Sequence, residues 1–298
     1  MPQVIVAQPT GFCFGVERAI QLVKKGLAKW GRVFTYGELV HNPLVVRELK
    51  SLGVKELKSL RRLNEVGNGA LVIRAHGCPP AVIEECQRQQ INVIDATCPY
   101  VRRVQNVARK LTEEGYQVVV VGEKNHPEVK AILAAAGKTA QVYPPNPKKA
   151  FKGKAKLGVV AQTTIDRNSF KEKVAKLLNF CYTEIRVFDT VCAEVVARQE
   201  AAVRIAKRVA AVVVVGGKNS ANTRRLVNIV RRSGKPVVHI TRAKDLDVIK
   251  WRHFEKVGIV AGASTPAETV EEIAQILKNS GCPEEIGNRV LRRSVRNV

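Results

Sequence analysis

Short runs of valine and isoleucine punctuate the chain. They read QVIVAQ at residues 3–8, VFTYG at 33–37, ALVIRAHG at 70–77, YQVVVVG at 116–122, LGVVAQTT at 157–164, AAVVVVG at 210–216 and VGIVAGAST at 257–265. Between them lie stretches with apolar residues near helical period, among them VERAIQLVKKGLAKW, VRRVQNVARKLTEEG and VVARQEAAVRIAKR. Short apolar runs that alternate with helical stretches predict parallel sheets joined by crossover helices.

The pattern repeats. Two of the runs, VIDAT and VFDTV, end in Asp-x-x-Cys and pass straight into a helical stretch, and QVIVAQ leads into Cys13 in the same way. From each of Cys13, Cys98 and Cys192 to the glycine closing the next strand is 24 residues (13 to 37, 98 to 122, 192 to 216). Four residues beyond those glycines stand His41, His126 and Ser220. A second strand in each repeat ends in polar residues: His76 in the first, Thr163 and Thr164 in the second, Ser264 in the third. Equal spacing with equal content predicts three pseudo-equivalent α/β units at 13–97, 98–191 and 192–281. Residues 1–12 then form an N-terminal strand, 282–298 a closing arm, and 144–158, rich in Pro, Gly and Lys, an exposed loop. In open parallel sheets ligands bind outside the carboxyl ends of the strands. Three such ends meeting on a pseudo-threefold axis would enclose one central site.

Composition narrows the setting. At 298 residues and 45% hydrophobic the chain can bury a sizeable core, built with only 5% aromatic residues. The formal charge of +24 attracts polyanions without saying which. The N-terminus lacks the pattern of a secretory signal. No apolar stretch reaches the ~18 residues of a membrane span. Seven cysteines, an odd number, point to reduced thiols in the cytoplasm rather than a disulfide framework.

Single cysteines at three strand-to-helix junctions match neither a zinc finger nor a ferredoxin run. Three thiolates on one centre suit a cubane cluster with one iron left open, acting as a Lewis acid and an electron source. Cys78, Cys86, Cys181 and Cys282 have no repeat register and read as small buried hydrophobes. His41, His76, Thr163, Ser220, Asn222 and Ser264 could hold a phosphate without a P-loop, and no Walker motif occurs. His126 and Glu128 place an imidazole beside a carboxylate, as proton delivery requires. His239 and His253 have no register and read as structural or exposed.

The stretches GFCFGVERA, YGELVHNP, RAHG, DATCPYV, GEKNHPEV, AQTT, DTVC with RQEA, KNSANTRRL and AGASTP run in order from residue 11 to 266. Together they resemble the 4-hydroxy-3-methylbut-2-enyl diphosphate reductase family, also called LytB. The resemblance implies a trefoil of three α/β domains around a [4Fe–4S] cluster. It also implies reductive dehydroxylation of an allylic alcohol diphosphate to isopentenyl and dimethylallyl diphosphate, the last step of the non-mevalonate isoprenoid pathway. Carried over position by position, Cys13, Cys98 and Cys192 ligate the cluster. His41, His126, Ser220, Asn222 and Ser264 hold the diphosphate, with His76, Thr163 and Thr164 lining the same site. Glu128 delivers protons through Thr163, beside His126. The chain departs from the family pattern after the third cysteine, where Glu194 and Val195 replace Ala-Thr, and Cys78 directly after RAHG is unusual. The implied electron donor is an acidic ferredoxin or flavodoxin, which a basic face would steer. Two rival classes remain at this point: a nucleic-acid binder, suggested by charge alone and lacking stacking aromatics or an RNA-binding motif, and a zinc hydrolase using the same Cys and His residues.

Overall fold

The computed structural model describes residues 2–144, 156–180, 182–251 and 253–280. Most of the loop expected at 144–158, the arm at 282–298, Cys181 and Cys282 lie outside the described residues. The described chain forms three four-stranded sheets, and every strand pairing in them is parallel. The fold class is α/β, as the alternating pattern requires.

Residues 12–196 make one compact unit, which holds two of the sheets. In the first, β2 (Val33–Tyr36), β3 (Lys55–Leu57), β4 (Ala70–Ile73) and β5 (Asn92–Asp95) lie in the order β3-β2-β4-β5. In the second, β6 (Gln117–Val121), β7 (Gln141–Val142), β8 (Lys156–Ala161) and β9 (Glu184–Phe188) lie in the order β7-β6-β8-β9. The other unit contains the described residues of 1–11 and 197–298. Its sheet joins β1 (Gln3–Val6) to β10 (Ala211–Val215), β11 (Val237–Ile240) and β12 (Lys256–Ala261) in the order β1-β12-β10-β11. The order is the same in all three: a short edge strand, two central strands, and the strand that runs into a cysteine. β1 does for the last sheet what β5 and β9 do for theirs.

The central strands are apolar throughout because helices cover both faces. All five residues of β10 and all four of β4 are buried. The edge strands β3, β7 and β11 were not anticipated. They are two to four residues long and half-exposed, too short for a periodic signal.

The helices that follow the cysteines bury one stripe each. In α1 (Phe14–Trp30) the stripe is Val16, Ala19, Ile20 and Val23, and Gly31 in the left-handed region at φ 64° ends the helix. Next come α2 (Pro43–Ser51) and α3 (Pro80–Arg88). In α4 (Pro99–Glu113) the stripe is Val101, Val104, Ala108 and Leu111. The remaining helices are α5 (Pro127–Ala136), α6 (Arg167–Leu177), α7 (Ala193–Ala206), α8 (Ala221–Arg232), α9 (Val248–Trp251) and α10 (Ala267–Asn279).

Candidate active site

The recurrent Asp-x-x-Cys is a turn device. The Asp95 carboxylate accepts the backbone N–H of Thr97 (2.9 Å), and Asp189 accepts that of Val191 (3.3 Å). Each aspartate thereby bends the chain out of its strand, and the cysteine that follows sits at the start of a helix. Each aspartate is also held by an arginine, Asp95 by Arg102 (2.6 Å) and Asp189 by Arg167 (2.8 Å).

At a helix start the first backbone N–H groups have no intrahelical partner. Here they turn to sulfur: those of Tyr100 and Val101 bond Cys98, and those of Glu194 and Val195 bond Cys192. Burial pushes both thiols above the ordinary cysteine range. Cys13 and Glu128 push Cys98 further, and Cys98 and Cys13 push Cys192. The three thiols therefore share one neighbourhood in the larger unit. Gly15 keeps that neighbourhood open, since a Cβ there would lie 2.6 Å from the Cys98 sulfur. Three half-buried sulfurs with N–H donors on two of them suit a soft metal centre, which would stabilise the thiolates that burial disfavours.

Three histidines gather in the same unit. His41 stacks on His76 with ring centroids 4.4 Å apart, and His126 stands edge-on to both at 5.6 and 5.2 Å. One nitrogen from each ring lies within 4.8 Å of the others, close enough to share one ligand. Hydrogen bonding indicates which kind of ligand. His126 caps α5, its Nδ1 accepting the Glu128 backbone N–H (3.2 Å). Its proton is therefore on Nε2, which becomes a donor rather than a metal-ligating lone pair. His41 Nδ1 lies 3.2 Å from the Glu38 carboxylate, which orients its ring. Burial drives His76 well below the ordinary histidine range, and His41, His126 and Arg74 reinforce the effect. Its Nδ1 is buried without a hydrogen-bond partner. The His126 donor beside an unsatisfied ring suits an oxyanion better than a bare cation.

Glu128, at the start of α5, is 1% exposed. One of its oxygens accepts the Thr163 backbone N–H (2.6 Å), and the other accepts the Thr163 hydroxyl (2.9 Å). The carbonyl of Thr163 accepts the backbone N–H of Cys192 (2.9 Å). One threonine thus joins the buried carboxyl to a cysteine. Thr164 acts elsewhere. Its hydroxyl accepts from the Gln162 amide, whose oxygen holds the Glu123 N–H.

The smaller unit carries the other polar strand ends. Ser220 caps α8, its hydroxyl accepting the Thr223 N–H (3.3 Å). Ser264 is buried beyond β12. Asn222 is 4% exposed, and both ends of its amide lack a partner among the described residues. A buried amide left unsatisfied is costly, as expected of a group that waits for a ligand.

Two arginines were overlooked in the sequence. Arg74 follows β4; its guanidinium is largely buried against Gly37 (φ 71°), where a Cβ would lie 2.7 Å from Nη1. It puts positive charge near the histidines. Arg198, 1% exposed, donates to the carbonyls of Pro9 (3.0 Å), Gly11 (3.0 Å) and Ala261 (3.4 Å). It fixes the segment that precedes Cys13. Only their places in RAHG and RQEA hinted at either. The other two described cysteines pack as small hydrophobes: Cys78 is buried beside Ile73 and Val82, its thiol pushed up to about 12 by burial, and Cys86 lies in an apolar cluster. His239 is structural, bonded to the Gly216 carbonyl (3.1 Å). The departure after Cys192 leaves the sulfur contacts intact, because Glu194 and Val195 make them through the backbone.

The family model described as LytB protein matches residues 4–278. The 4-hydroxy-3-methylbut-2-enyl diphosphate reductase of Geobacter sulfurreducens is 39% identical over 274 residues, covering 92% of this chain and 96% of its own length. The enzyme of the same name from Dictyoglomus thermophilum is 41% identical over 275 residues, with 92% and 95% covered. Among solved structures, the reductase described as the terminal enzyme of the non-mevalonate pathway is 38% identical, with 94% of this chain and 100% of that chain covered and a TM-score of 0.67. The Plasmodium falciparum reductase is 28% identical, covers 93% and 88%, and has a TM-score of 0.86. With matches of this length to both the family model and these relatives, the chain belongs to the LytB family.

Proposed function

We propose that this chain reduces 4-hydroxy-3-methylbut-2-enyl diphosphate to isopentenyl and dimethylallyl diphosphate, closing the non-mevalonate route to isoprenoids. The observation that carries the reading is the juxtaposition of three helix-start cysteines with a Glu128–Thr163 pair bonded to the third of them. Cys13, Cys98 and Cys192 would hold a [4Fe–4S] cluster, and the Gly15 cradle and the N–H groups on sulfur suit it. When bound, such a cluster supplies electrons singly and an iron without a protein ligand that can act as a Lewis acid.

The chain's own residues do the rest. His126 Nε2–H donates to the diphosphate oxygens beside His41 and His76, with Arg74 adding positive potential. Ser220, Asn222 and Ser264 are the phosphate-binding residues that the resemblance assigns to the smaller unit, and a phosphate oxygen would satisfy the Asn222 amide. Glu128 in its acid form passes a proton to the Thr163 hydroxyl, which passes its own to the substrate's leaving hydroxyl. The C–O bond breaks, water departs, and two electrons with a second proton complete the allylic product. Burial of Glu128 and Thr163 keeps bulk water from short-circuiting this transfer. An acidic ferredoxin or flavodoxin supplies the electrons, and the cytoplasm is the setting; among the described residues no helix is long and apolar enough to cross a membrane.

The test is anaerobic purification with iron and sulfide analysis, then turnover of the allylic diphosphate with a chemical reductant. The expected result is roughly four irons per chain, a brown protein, and both products. A protein that stays colourless and iron-free after reconstitution, or that takes up zinc instead, would sink the reading.

A further inference from the structure

In a chain with few aromatic residues, three are exposed among those described: Phe14 (59%), Tyr100 (40%) and Phe188 (37%). All three stand beside the cysteines. Phe14 follows Cys13, Tyr100 is two residues past Cys98, and Phe188 is four before Cys192. A ring such as Phe14 left in water forgoes burial that a partner would recover. Two of the rings belong to one patch. The first turn of α1 touches the Asp95–Cys98 loop: Gly15 abuts the Cys98 sulfur, and Arg18 donates to the carbonyls of Thr97 (3.3 Å) and Asp95 (3.5 Å). Arg102, in the first turn of α4, closes on the same Asp95. Phe14 and Tyr100 therefore flank one loop, accompanied by Arg18, Arg102 and Arg103.

The surroundings are basic. α1 carries Arg18, Lys24, Lys25 and Lys29 against Glu17, and α4 carries Arg102, Arg103, Arg109 and Lys110 against Glu113. Asp95 is neutralised by Arg102. Aromatic rings ringed by arginine are what anchors a protein interface, and a positive rim selects an acidic partner. A site fed one electron at a time needs its donor close to the sulfurs, and this patch lies on the backbone turns that carry two of them.

We infer that the first turns of α1 and α4, with Phe14, Tyr100 and Arg103 at their centre, form the docking face for an acidic one-electron carrier protein. The inference rests on the reductase reading and specifies where its donor binds. It also gives the excess positive charge of these helices a use.

The experiment measures binding of an acidic flavodoxin, in its oxidised state, to the anaerobic holoprotein at low and high salt. Turnover is followed in parallel with reduced flavodoxin and with dithionite. Phe14→Ala and Tyr100→Ala are each expected to weaken flavodoxin binding about tenfold. Arg103→Glu is expected to slow association several-fold and to flatten its salt dependence. The visible spectrum and dithionite turnover should stay unchanged in Phe14→Ala and Arg103→Glu. A double reversal on the other unit, Arg231→Glu with Arg232→Glu on α8, should leave flavodoxin affinity within about twofold. Flavodoxin binding that is indifferent to the three substitutions, or equally sensitive to the α8 reversal, overturns the docking face while dithionite turnover stands. Absence of dithionite turnover in the unaltered holoprotein would instead remove the reductase reading itself.

Discussion

Gly15→Ala adds one methyl group to a helix that otherwise welcomes it. Alanine in place of glycine gains about 0.8–1 kcal/mol in a helix interior and less at the second residue of α1, where Gly15 stands. The new Cβ, however, lies 2.6 Å from the Cys98 sulfur and 3.3 Å from its Cβ. Ordinary contact begins near 3.5 Å, so the sulfur or the helix must move by roughly 1 Å. Overpacking of this kind costs about 1–3 kcal/mol. The first effect offsets only part of the second in the metal-free protein, and its Tm should fall by a few degrees. A metal centre is less tolerant, because ligand distances must hold to about 0.2 Å. Disturbing the support of one ligand typically costs 10–100-fold in metal affinity. Iron per chain and absorbance near 400 nm should therefore drop, and the remaining iron should leave faster to a chelator.

Gly26→Ala in the same helix is the matched control. Its Cβ would lie 2.5 Å from Ile94 Cδ1, the end of a flexible apolar chain distant in kind from any thiol. It should shift the Tm comparably and leave the iron content alone. Full iron content and unaltered chelator kinetics in Gly15→Ala would refute the claim that this glycine exists to make room for a ligated Cys98.

Three further outcomes follow from the same geometry. Glu128→Gln keeps the shape of the buried carboxyl and removes its proton; iron content should be unchanged and turnover lower by about 10²–10⁴-fold, so near-normal turnover would remove Glu128 as the acid. His76 is held neutral by burial, so below the ordinary pKa near 6.5 the unfolded chain binds a proton that the folded one refuses. Folded stability should then fall as pH drops, by up to about 1.4 kcal/mol per pH unit, and urea midpoints between pH 7.5 and 5.5 should show this slope flattened in His76→Gln. Arg198→Met leaves the carbonyls of Pro9 and Gly11 without their charged donor; a loss of about 2 kcal/mol or more in urea unfolding is expected, and an unchanged midpoint would exclude this anchoring role.

The sheets were legible because their central strands are buried on both faces and so read as unbroken valine runs. The edge strands were not, since a two-residue strand such as Gln141–Val142 has no period to detect. Cysteines and histidines could be listed from repeat register alone. Their chemistry could not: the proton on His126 Nε2 follows from a cap to the Glu128 N–H, and the pairing of Glu128 with Thr163 spans 35 residues. Arg198 was illegible for the same reason, since its partners Pro9 and Gly11 lie near the other end of the chain.

The constant interval from cysteine to glycine has a physical cause that the structure exposes. The helices after Cys13, Cys98 and Cys192 have 17, 15 and 14 residues, and the strands that follow have 4, 5 and 5. The turns between them take 2, 3 and 4 residues, so a shorter helix is offset by a longer turn or strand. Helix length is therefore not what is held fixed. The helix after each cysteine carries the chain from the last strand of one sheet to a central strand of the next, from β1 to β2, β5 to β6 and β9 to β10. The constant is the length of that passage, and in the larger unit His41 and His126 each stand four residues beyond its end. An insertion that lengthened α4 without shortening its turn would leave the cap between His126 and Glu128 intact, since both lie downstream of it and two residues apart, and would instead strain the placement of Cys98 relative to them.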